Sequence, residues 1–230
     1  AAGMVLSTLA AVGTQSRGAL VALLITGGIF WLKSRKKLAS AIFIGLSIFV
    51  VALVMPESWY ARMNTIQSYE VDQSAQGRIN AWWTAANVAR DRIFGGGFDM
   101  WGPMVFQRYA PDPTNVRDVH SIYFEMLGEQ GFIGLAMFLT ILSMTWLKCG
   151  AVIRAAGRNA DLAWARDLAA MVQVSVIGYM SAGAFLGLAY FDYAYHLVAV
   201  AVVVHHLVHQ AGSVTEPTAV TAQGTPSTVR

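Results

Sequence analysis

His120 and Ser121 stand where a polar segment gives way to an apolar run, and Gly131 and Gly134 follow inside that run. Histidine titrates in the ordinary way near neutral pH, so one placed at such a boundary is a ready general base. On a straight helix of about 100° per residue, Phe124, Leu127, Gly131 and Gly134 point within roughly 40° of the direction of His120. The spacing predicts a histidine capping a helix face floored by glycine, against which a neighbouring helix could pack closely. The alternative reading is an interfacial histidine with no chemistry.

Arginines supply the second chemical element. Arg17 sits in the polar break Thr14 to Gly18 between two apolar segments. A cation there is expensive unless it is paired, faces water or snorkels to the headgroups. Asp192, in the turn Tyr190 to Tyr193, is placed on the same side and is a candidate partner. Segment 56–118 carries Arg62, Arg78, Arg90, Arg92, Arg108 and Arg117, no lysine, and seven acids. A planar guanidinium suits a two-pronged grip on phosphate, although exclusion of lysine also follows from membrane orientation. With charges so nearly balanced, most of these arginines should pair with neighbouring acids and one or two should meet a ligand. Arg78 and Trp82, four residues apart, share one face of a helix predicted over 78–94 and ended by Gly95 to Gly97. Trp59, Trp82, Trp83 and Trp101 read equally well as headgroup anchors. His205, His206 and His209 are joined by no acidic or cysteine ligand, so no metal site is expected, and the lone Cys149 reads as structural filler.

The elements that must position these residues are membrane helices. The chain is 56% hydrophobic and 13% charged, with a mean hydropathy of +0.49, outside the range of an ordinary soluble domain. Apolar runs near 17–32, 38–55, 121–147, 169–189 and 194–208, with part of another in 1–13, predict an all-α bundle of about six spans. Lys33, Lys36, Lys37 and Lys148, with Arg35, Arg154, Arg158 and Arg166, mark two short connections as cytoplasmic. Segment 56–118 then faces outward as a mostly helical loop between membrane helices in 1–55 and 119–210, and 211–230 reads as a disordered cytoplasmic tail. The net charge of +3 thus sorts by side of the membrane and gives no reason to expect a nucleic-acid partner. The chain opens on Ala1 inside an apolar run without a positively charged leader, which predicts the C-terminal part of a longer protein.

The segment Gln15 to Ala19 opening a span, Gly77 and Arg78 followed by Trp82, the run Gly95 to Gly97 before Phe98, and the His120, Ser121, Gly131, Gly134 element together resemble the O-antigen ligase and polymerase superfamily. The resemblance covers almost the whole chain, and most closely suits an O-antigen ligase. It implies a bacterial inner-membrane glycosyltransferase acting on the periplasmic face without metal or cofactor. The donor it implies is an undecaprenyl-diphosphate-linked glycan and the acceptor lipid A-core, with membrane lipids around both. His120 becomes the expected base, Arg17 and Arg78 the diphosphate ligands, and Asp192, Trp82 and Ser121 their supports. An O-antigen polymerase or a protein O-oligosaccharyltransferase is the alternative within the superfamily. A polyprenyl-lipid transporter or flippase is the alternative from another class, with no obvious use for a fixed outer base.

Overall fold

The computed structural model describes residues 10, 13, 16–34, 36–54, 57 and 73–214, with the side chain of Arg17 outside the described part. Among the described residues seven helices follow in order: α1 (Arg17–Lys33), α2 (Lys37–Val54), α3 (Gln73–Asp91), α4 (Pro103–Tyr109), α5 (Ile122–Ala156), α6 (Ala163–Gly183) and α7 (Asp192–Val214). No strand occurs among the described residues, so the all-α expectation holds.

Local chemistry sets the helix ends. Ser16 caps α1, its Oγ accepting from the Ala19 N–H at 3.3 Å, and Lys33 lies in the last turn, where a cation meets the negative end of the helix dipole. Pro103 opens α4 at a position that needs no N–H. Gly157, at φ +49°, closes α5. The helix predicted over 78–94 starts earlier and ends earlier, because the Gly95 N–H bonds the Arg92 carbonyl and turns the chain there. Helix α7 runs to Val214, past the boundary predicted at 211.

Helices α5, α6 and α7 pack on one another through small and branched residues, with Cys149 and Val152 of α5 against Ala165 and Ala169 of α6 and Ala201 and Val204 of α7. Cys149 is thus filler, as expected. Helix α1 packs on α6 and α2 on α1. Leu38, Ile42, Leu46, Phe49 and Leu53 line one outward face of α2, an arrangement suited to hydrocarbon rather than water. Helix α5 is long and apolar enough to cross a membrane, whereas Gly18–Lys33 and Lys37–Val50 are shorter apolar helices. One span of this kind among the described residues therefore stands where about six were expected, and most of 1–13 lies outside them.

The predicted glycine-floored face needs correction. Ser121 is the N-cap of α5, so His120 precedes the helix, and Gly131 (φ +69°, ψ −167°) breaks the helical course eleven residues on. Extrapolating a straight helix through both points assumed a regularity that these backbone angles remove. What packs against Gly131 is a turn and not a helix. A Cβ there would fall 2.0 Å from the Ile93 carbonyl oxygen, and one on Gly95 would fall 2.5 Å from the Glu129 carbonyl. Only glycine permits backbones to meet so closely. The N–H groups of Gly96 and Gly97 donate to the carbonyls of Gly128 and Glu129 at 2.8 and 3.0 Å, so the glycine run both ends a helix turn and docks on the kink.

Candidate active site at the N-terminal end of the fifth helix

Three segments converge where α5 begins. The first is a strap, residues 110–121, laid across α3. Asn80 of α3 donates to the carbonyls of Asp112 and Asn115 at 2.8 and 3.0 Å and accepts from the Asp112 N–H at 2.9 Å. Gly77 makes room for the strap, since a Cβ there would sit 2.8 Å from Arg117 Cγ. Thr114 donates its hydroxyl and N–H to the Asp112 carboxylate, holding that carboxyl below its usual range. Trp82 finishes the attachment: its Nε1 donates to the Val119 carbonyl at 2.9 Å, and its ring stacks on Phe124 with centroids 4.9 Å apart. Trp82 thus grips the residue before His120 and the first turn after it, in place of a headgroup.

His120 leaves the strap with φ +46°, a left-handed conformation that costs about 1 kcal/mol and that histidine visits more readily than most residues. The turn of backbone swings the imidazole off the course of α5. Its Nδ1 is buried and lies 2.9 Å from Asp118 Oδ2, within ion-pair distance but out of line for a hydrogen bond. The side chain is 45% exposed, so the exposure belongs to the part of the ring remote from Nδ1. That arrangement leaves Nε2 as the nitrogen available to a substrate. Ser121 is buried and its hydroxyl makes no capping bond; its carbonyl receives the Glu125 N–H.

The second segment is the turn between α6 and α7. Glu125 Oε2 accepts the Ala189 N–H at 3.0 Å, and Tyr179 donates its hydroxyl to the Leu188 carbonyl at 2.7 Å. A Cβ on Gly187 would lie 3.5 Å from both Asp118 Oδ2 and Glu125 Oε2, so this turn borders the histidine and its carboxylate. The start of α1 joins the same end, with Gly18 pressed on Phe185. The backbone of Arg17 therefore reaches the end of the bundle where α5 begins; its pairing with Asp192 lies outside the described residues. Asp192 opens α7 exposed, where a carboxylate complements the helix dipole.

The third segment is the glycine turn with residues 98–102, and it is joined to the others by a residue that the sequence reading passed over. Glu129 is 4% exposed. Its Oε1 accepts from Trp101 Nε1 at 2.9 Å and the Asp99 N–H at 3.2 Å, while Oε2 accepts from the Tyr190 hydroxyl at 2.8 Å. Burial, then the bond to Glu129, pushes the Tyr190 phenol far above its ordinary range, so it remains a donor at any physiological pH. A buried carboxylate held by three donors fixes the geometry of the segments that supply them. An acid inside an apolar run flanked by glycines was the available signal.

Arg78 lies on α3 one turn before Trp82, partly buried, and makes no ion pair or hydrogen bond with the described residues. The expectation that most loop arginines pair with acids is not met among the described residues: Arg108 lies 3.5 Å from Asp91, Arg90 bonds the Asn87 amide oxygen at 3.1 Å, and Arg62 lies outside the described part. Among the described residues no group of three or more His, Cys, Asp or Glu is placed to hold a metal, and His205 and His209 stack at 4.1 Å instead. The assembled end thus offers an imidazole with one free edge, a guanidinium on the supporting helix with no partner among the described residues, and a rigid polar frame. A family model described as O-antigen ligase matches residues 2–139, the stretch that carries His120, Arg78 and Glu129, while the α6–α7 turn that completes the frame lies beyond it. No curated protein and no solved structure matches the chain.

Proposed function

The chain belongs to the O-antigen ligase family, a family of membrane-embedded glycan transferases, and from that premise we propose that it moves a glycan from undecaprenyl diphosphate to lipid A-core. The observation that carries the reading is the left-handed His120, half exposed, with Nδ1 turned in toward Asp118. A sugar hydroxyl is a poor nucleophile at neutral pH. Nε2 of neutral His120 takes its proton as the oxygen attacks the anomeric carbon, a contribution of about 10²- to 10⁴-fold. Asp118, with Oδ2 2.9 Å from Nδ1, offsets the imidazolium as it forms and steadies the ring in the attacking orientation at that moment. The bond from the anomeric carbon to the diphosphate oxygen breaks with the attack, and undecaprenyl diphosphate leaves with the electron pair. Arg78 and Arg17 meet the charge that grows on it. A single displacement inverts the anomeric centre, and His120 returns its proton to water.

On this reading the fold is a polytopic bundle of about six spans in the inner membrane, with 56–118 as a periplasmic loop. The test is to incubate the full chain, in detergent or vesicles, with lipid-linked glycan and, in parallel, lipid A-core, further lipid-linked glycan and an acceptor protein, without nucleotide and with a chelator present. Product on lipid A-core supports the ligase. Extension of the lipid-linked glycan alone would make the protein a polymerase, modified protein would make it an oligosaccharyltransferase, and translocation without product would make it a transporter.

A further inference from the structure

The turn that docks on the α5 kink presents its own side chains outward. Ile93, Phe94 and Phe98 are 56%, 70% and 74% exposed, on a segment whose backbone is pinned by the Gly96 and Gly97 bonds to α5. Large apolar groups held rigidly away from the core need a partner phase. Helix α5 itself gives their depth. Lys148, eight residues before the end of α5, is the first cation along that helix and on the proposed topology marks the cytoplasmic edge of its crossing part. About 20 helical residues cross a hydrocarbon core of ~30 Å. Counting back from Lys148 puts the outer edge of that core at Gly128 to Gly131, the residues that receive the turn. Phe132 and Ile133, next along α5, are also exposed and continue the apolar surface downward. Arg92 lies exposed beside the turn with no partner among the described residues, and Arg90 stands over the Trp83 ring at 5.9 Å, placing positive charge at headgroup level. We propose that the Ile93 to Phe98 turn is a membrane-surface anchor, with Phe94 and Phe98 seated among outer-leaflet phospholipids and Arg92 at their phosphates. Its consequence for the site is height. Helix α5 opens at Ile122, six residues before Gly128 and about 9 Å above it at 1.5 Å per residue, which sets the adjoining His120 at the level of a lipid-borne diphosphate.

The inference rests on α5 as a membrane span, and the experiment separates the two. Single cysteines at Ser74, Phe94, Phe98 and Met137, each in a full chain carrying Cys149→Ala, are spin-labelled. The proteins are reconstituted in vesicles of phosphatidylethanolamine and phosphatidylglycerol. Collision with oxygen, which concentrates in lipid, is compared with collision with a water-soluble nickel chelate. The expected result is chelate contact dominating at Ser74, oxygen contact dominating at Met137, and a reversal of the Ser74 ratio at both Phe94 and Phe98, with values between those two sites. Met137 deep in lipid while Phe94 and Phe98 match Ser74, or meet neither collider because protein covers them, overturns the anchor alone. Chelate contact dominating at Met137 overturns the span and the anchor with it.

Discussion

Two residues of the site divide the chemistry, and each division has a separate outcome. Arg78 makes no bond to the described residues, so Arg78→Lys should leave thermal stability unchanged. Donor affinity should nevertheless fall about tenfold, because a point charge replaces a two-pronged guanidinium. Isothermal titration with lipid-linked donor checks this, and unchanged affinity would remove Arg78 from the site; the same comparison applies to Arg17→Lys. Asp118 lies 2.9 Å from the inward nitrogen of His120. Asp118→Asn should lower kcat by about tenfold or more with little change in KM, since orientation of the base matters only as the bond forms. A rise in KM at constant kcat would instead assign Asp118 to substrate binding.

At the scale of elements, the site is held by glycine and by one buried acid. Gly131→Ala adds a Cβ 2.0 Å from a backbone oxygen at φ +69° and should cost about 3 kcal/mol or more of stability. Gly27→Ala, with nothing within 4 Å, should be neutral or slightly stabilising. Glu129→Ala strands the Trp101, Asp99 and Tyr190 donors and should cost about 3 kcal/mol, whereas Glu129→Gln keeps one acceptor oxygen and should cost less. Thermal denaturation in detergent checks both pairs. These elements also show what the sequence could and could not tell. The helices were legible because apolar runs and caps are local, and the family was legible because the spacing of its residues, with Arg78, Trp82 and His120 among them, is local too. The kink was not, because the pattern His120, Gly131, Gly134 fits a straight helix as well as a broken one, while Gly131 meets the Ile93 to Gly95 turn and the strap leading to His120 is held by Asn80 and Trp82 of α3, all more than 30 residues upstream of what they hold. Trp82 and Trp101 misled for the same reason, as their indole partners, Val119 and Glu129, are distant in sequence.

For the whole molecule, topology decides whether the site can meet a periplasmic acceptor. A cysteine at Ser74 in a Cys149→Ala chain should react with an impermeant maleimide in cells with permeabilised outer membranes, and one at Lys36 should be protected. The reverse pattern would put His120 in the cytoplasm. The account's central claim, that His120 is the base for glycan transfer, is tested most directly by removing the imidazole without disturbing its backbone. Asn tolerates φ +46° better than Ala, so His120→Asn and His120→Ala are compared in the full chain for transfer rate and for binding of the lipid-linked donor. The account predicts that both bind donor as the parent does and that both transfer at less than about a hundredth of its rate. Transfer above about a tenth of the parental rate by a well-folded His120→Asn protein would contradict it.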